Sequence, residues 1–122
     1  MIALLVALAL QAAWPDDRPA NGWTNRGLTT NRETLLLTRP GPRRHTIWTR
    51  QESRVPEPQI RTLSTVSLVE ADCEGRRTRT LQATDWTGAN MTGTPVTYEP
   101  NVWRYPMPTT MAEAILDYAC GT

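Results

Sequence analysis

Cysteine usage is what most restricts this chain. Cys73 and Cys120 are its only two cysteines among 122 residues. The first sits at the corner of "SLVEADCEGRRTRTLQATDW" (67–86), which opens as a strand and returns through Arg76, Arg77 and Arg79. The second ends the last periodic segment of the chain. A domain this small buries a modest share of its surface and gains from a staple. An even cysteine count in an exported chain reads as a disulfide. Closing the loop from Cys73 to Cys120 stabilises by about 4 kcal/mol in a chain-entropy treatment, less any strain. A metal site fits poorly with one histidine and no clustered second pair of ligands. A redox-active pair would need close Cys-x-x-Cys spacing.

Export is expected from the N-terminus. "MIALLVALALQAA" carries no charge, and its apolar run from Ile2 to Leu10 falls far short of the ~20 residues that span a membrane. Its length suits the hydrophobic region of a secretory signal, with Ala12 and Ala13 as small residues at the cut. The expected organisation is a signal peptide over 1–13, a leader over 14–22 and one domain over 23–122. No transmembrane segment would remain after cleavage. No cysteine follows the apolar run, so no lipid anchor of its own is expected. The destination is the periplasm or the cell surface.

All thirteen basic residues are arginine, and the net charge is only +1. Such a balance gives no long-range field to draw in nucleic acid.

Short segments of strand character are separated by turn residues. They are "WTNRGL" (23–28), "ETLLLT" (33–38), "HTIWTRQES" (45–53), the pair 60–73 and 76–87, and a short run around "WRY" (103–105). "RPGPRR" (39–44) is a break, because prolines and glycine disrupt a ladder. A two-residue turn at Glu74-Gly75 would set Asp72 against Arg77, Glu70 against Arg79 and Leu68 against Leu81. The charged residues then read as structural cross-strand ion pairs. The chain ends in a helix capped by Thr110, with Glu113 completing a capping box and Gly121 closing it. Met111, Ala112, Ala114, Ile115, Leu116, Tyr118 and Ala119 cover most of its circumference, so it should be largely buried on one face of a sheet. The predicted fold class is α+β: an antiparallel sheet of about six strands with one C-terminal helix packed on it, linked by a disulfide.

"IWTR", "TLSTVSLVEADCEGRRTRTLQATDWTG" and "WRYPMPTTMAEAILDYACG" together resemble the surface-adhesin protein E family of bacteria. The matching positions are Val69-Glu70-Ala71-Asp72-Cys73, Arg79, Leu81, Trp86, Trp103, Pro108 and Cys120-Gly121, with Trp23 at the first strand. The resemblance implies the same sheet, helix and disulfide, and export to the envelope. Founding members bind extracellular-matrix proteins.

No catalytic site is expected. A Ser-His-Asp arrangement would need His45 with Asp72 and one of Ser53, Ser64 or Ser67, and no motif sets those serines on a nucleophile turn. Nor is a cofactor or metal motif present. A binding surface is the better candidate. Arg43, Arg44, Arg50, Arg54 and Trp48 fall in one segment, and Arg43-Arg44 have no acid within two residues. Arg43, Arg44, His45 and Trp48 suit acidic polysaccharide or acidic patches of an extracellular protein. Trp23, Trp48, Trp86 and Trp103 are core candidates first, since tryptophans are commonly buried and the chain has no Phe. The alternative expectation is a periplasmic structural or accessory protein without an external ligand. The sequence specifies no oligomeric state.

Overall fold

The computed structural model describes residues 22–29, 33–55 and 62–121. The expected signal peptide lies outside the described residues, as does the leader apart from Gly22. Six strands follow in order: β1 (Thr24–Leu28), β2 (Thr34–Pro40), β3 (Thr46–Ser53), β4 (Ser64–Asp72), β5 (Arg77–Trp86) and β6 (Pro95–Tyr98). One helix, α1 (Met111–Cys120), ends the described chain. Each strand pairs antiparallel with its neighbours in sequence, so the sheet is a simple meander, β1-β2-β3-β4-β5-β6.

Register assigns the faces, because alternate residues of a strand point to opposite sides. Leu36, Ile47, Val69 and Ala71 share one face, where they form the core with Ile115, Leu116 and Ala119 of α1. Cys73, on the same face, is bonded to Cys120, with Cα atoms 5.7 Å apart. The disulfide thus ties the last turn of α1 to the end of β4.

Four details differ from the sequence expectation. The sixth strand is Pro95–Tyr98, not the run around 103–105, which contributes a single bridge between Arg104 and Thr78. Pro95 is tolerated there because β6 is an edge strand, where a missing N–H costs no ladder bond. Second, Leu68 faces Gln82 rather than Leu81. A bulge at Leu68/Val69 leaves Leu81 as the extra residue and re-aims the rest of β5. Third, α1 buries only Ile115, Leu116 and Ala119, and Ala112 is exposed. Alanines widen the apolar arc in the sequence, but a methyl group has little area to hide. Fourth, Thr110 accepts from the Glu113 N–H, yet the Glu113 carboxylate bonds the Thr109 N–H instead of closing a box on Thr110. Gly121 caps the other end in a right-handed conformation (φ −81°), bonding back to Asp117.

The opposite face carries a buried polar knot. Arg50 Nε lies 2.8 Å from Glu52 Oε2, with their side chains 9% and 2% exposed. Arg50 Nη2 also donates to Asn90 Oδ1, and the Asn90 N–H donates to Glu52 Oε1. Ser64 Oγ donates to the Gly88 carbonyl and accepts from the Met91 N–H. These bonds hold the β5–β6 connection onto the sheet. Arg50 is therefore not part of a surface arginine group, contrary to its grouping with Arg43 and Arg44.

Candidate functional site

The β2–β3 connection is a tight loop. The Gly41 N–H bonds the Thr46 carbonyl at 3.1 Å, and the Arg43 N–H bonds Thr46 Oγ1 at 3.0 Å. Gly41 is demanded by this closeness, since a Cβ there would stand 2.7 Å from the Thr46 carbonyl carbon. His45 adopts φ 59°, and its carbonyl accepts from the Ala71 N–H at 2.8 Å. The loop is thereby tied to β4 as well as to itself.

The sequence-predicted binding residues fall as follows. Arg43, with a 65% exposed side chain, reaches Glu70 at 3.3 Å. Arg44 is exposed and makes no ion pair among the described residues. His45 is half-buried. Trp48 is half-buried on the face away from the helix, in register with Arg39 and Leu68. The hairpin charges are also placed. Arg77 Nε sits 2.8 Å from Asp72 Oδ2, and Arg79 Nη2 sits 2.7 Å from Glu70 Oε1. Glu70 therefore bridges Arg79 and Arg43, joining the hairpin to the β2–β3 loop.

The aromatic side chain stacked with these arginines is Trp103, not Trp48. The guanidinium carbons of Arg77 and Arg79 lie 4.5 Å and 4.7 Å from its ring centroid. The segment reaches this place because Arg104 exchanges backbone bonds with Thr78, while the Asn101 N–H bonds the Thr80 carbonyl. The alternation Trp-Arg-Tyr in the sequence does put Trp103 and Tyr105 on one side of an extended segment. What it does not specify is the strand they lie beside.

Electrostatics follow the geometry. The Gly75 N–H, and next Arg77, hold the Asp72 carboxyl below its ordinary value of 3.8. The hydrogen bond with Asp72 raises Arg77, assisted by Tyr105 nearby. At the far end of the sheet, partial burial raises the Tyr98 hydroxyl, with Asp85 beside it adding to the effect.

Among the described residues no group of three or more His, Cys, Asp or Glu side chains is placed to hold a metal ion. None of their helices is long and apolar enough to cross a membrane. What the candidate site brings together is arginine donors, paired carboxylates and a stacked indole. A six-stranded antiparallel sheet with one disulfide-tied helix defines a small α+β domain. The chain belongs to the surface-adhesin protein E family, whose sequence model matches residues 37–121. That stretch starts within β2 and runs through α1, leaving β1 and Trp23 outside it. No curated protein and no solved structure matches the chain.

Proposed function

We propose that the protein is exported and serves in the cell envelope as a ligand-binding module without catalytic activity. Its ligand carries anionic groups and is an acidic polysaccharide or an acidic patch of an extracellular protein. Arg44 carries the reading: it is an exposed guanidinium with no ion pair among the described residues, on a loop held by its own hydrogen bonds. Planar guanidinium forks recognise carboxylate and sulfate bidentately. Arg43 adds a second fork, shared with Glu70, while His45 and Trp48 flank the loop. Family membership and the uncharged apolar N-terminus support export.

Retention on immobilised heparin and on immobilised polyglutamate tests the ligand class. The Arg43→Ala/Arg44→Ala variant should elute from whichever matrix retains the parent at clearly lower salt. Equal elution of parent and variant removes the loop from the reading. Protease treatment of intact cells tests the location. Cleavage of the protein on intact cells supports surface display. Release only with the periplasmic fraction would favour the rival reading, a periplasmic accessory protein with no external ligand.

A further inference from the structure

The sheet face away from the helix carries, at its hairpin end, a row of side chains that the loop site does not use. The bridge between Thr78 and Arg104 sets Trp103 beside Arg79 and Tyr105 beside Arg77. Tyr105 is 71% exposed, an unusual state for so large a ring in a domain with few aromatics. Arg77 uses Nε on Asp72, which leaves both terminal nitrogens without an acceptor among the described residues. Arg79 uses Nε and Nη2 on Glu70, which leaves Nη1. Spare, directional donors therefore stand beside two aromatic rings.

Charge favours an anion here. Among the described residues, Arg43, Arg77 and Arg79 share only Glu70 and Asp72, three guanidiniums to two carboxylates, and the exposed Arg44 makes no ion pair. Glu74 is exposed at the turn tip, and Asp117 is engaged by Arg76 on the helix side. The acids position the guanidiniums without exhausting their donors.

We propose that Trp103, Tyr105 and the spare donors of Arg77 and Arg79 form a subsite for the rings of an acidic polysaccharide. The subsite is continuous with the Arg43-Arg44 loop through Glu70, and it rests on the anion-binding reading given above. An acidic peptide would satisfy the guanidinium forks and leave both aromatic rings facing water. A polysaccharide whose repeats join a flat ring to a carboxylate or sulfate meets both demands at once. The indole, held by two guanidiniums stacked against it, gives such a ring a fixed platform.

The test compares three probes on the intact protein: a heparin oligosaccharide, an oligogalacturonate and a polyglutamate peptide of matched charge. Affinities are measured by calorimetry for the parent, Tyr105→Ala, Trp103→Phe and Arg43→Ala/Arg44→Ala. Tyr105→Ala removes an exposed side chain, and Trp103→Phe keeps a ring over the arginines, so both should fold as the parent does. Circular dichroism checks this. The expected result is that each aromatic variant binds one of the two glycans about tenfold more weakly. Polyglutamate binding should change by less than about twofold. Parental glycan affinity in both aromatic variants, with loss in the double arginine variant, overturns the subsite and leaves the anion-binding loop standing. A parent that binds polyglutamate alone likewise overturns the subsite and spares the loop. A parent that binds none of the three probes overturns both.

Discussion

Removing the Glu52 carboxylate should be among the most damaging single changes to this fold. Glu52 and Arg50 are buried, with side chains 2% and 9% exposed, and the pair is closed by a 2.8 Å bond. Glu52→Ala would leave the Arg50 guanidinium buried with Asn90 Oδ1 as its one side-chain acceptor among the described residues, and would remove the carboxylate that the Asn90 N–H donates to. Breaking a buried pair by deleting one partner costs about 3–5 kcal/mol, because an uncompensated charge stays behind. A domain of this size is stable by roughly 5–15 kcal/mol, so the variant should lose between about a fifth and all of that stability. The double variant Arg50→Met/Glu52→Leu removes both charges and should recover much of the loss, since hydrophobic replacements of buried pairs are often neutral or stabilising. Urea unfolding followed by tryptophan fluorescence measures both, with stability from the midpoint and slope. A cost below about 1 kcal/mol for Glu52→Ala would refute the reasoning, because that is the scale of a solvated surface pair.

The surface pairs should behave differently. Arg79→Ala, at a side chain 31% exposed, should cost under about 1 kcal/mol in the same unfolding assay, and a loss near the Glu52→Ala value would contradict this. Reduction of Cys73–Cys120, or Cys73→Ser/Cys120→Ser, should lower stability by about 4 kcal/mol less any strain released, and an unchanged urea midpoint would rule that out. Asp72 is held below 3.8 when folded, so its contribution is complete above that pH and is lost as pH falls through the lower folded value. A carboxyl NMR titration should place its midpoint below 3.8, and a midpoint at or above 3.8 would remove the Gly75 and Arg77 bonds as the cause. Gly41→Ala should cost about 1–3 kcal/mol through its clash with Thr46 and should weaken anion retention by displacing Arg43 and Arg44, whereas a parental melting temperature would show that the loop yields freely.

Local chemistry makes most of the scaffold legible. β-branched and aromatic residues between turn signals mark "HTIWTRQES" and "TVSLVEAD" as β3 and β4, and the Thr110 cap marks the start of α1. The acids and arginines flanking Glu74-Gly75 are enough to set Asp72 opposite Arg77 and Glu70 opposite Arg79. Beyond that point the sequence has no means of counting. A bulge at Leu81 changes the partner of every later residue in β5, and only contact with β4 reveals it. The sixth strand escapes the sequence for a related reason. "PVTY" and "WRY" both run beside the outer edge of β5, and neither shows locally which of them forms the longer ladder. Arg50 illustrates a different limit. Its burial depends on Asn90, forty positions away, folding back over β3.

The two faces of the sheet meet in a single mechanical arrangement at the hairpin. Cys73 is bonded to Cys120 on the helix side, and Arg76, at φ 55°, reaches Asp117 on the same helix at 2.9 Å. Asp72 closes the turn from the other side by accepting from the Gly75 N–H at 3.0 Å. The four residues of the turn are thus fixed by one covalent bond, one ion pair and one hydrogen bond. Arg77 and Arg79 emerge from that clamp onto the opposite face, where Trp103 lies across them. Side chains ordered before a ligand arrives lose less entropy on binding, at about 0.5–1.5 kcal/mol for each flexible side chain so fixed. The helix and disulfide therefore do more than seal the core. They hold the reverse side of the proposed binding surface, so loosening α1 should blur the arginine–tryptophan row even though no residue of the helix belongs to it.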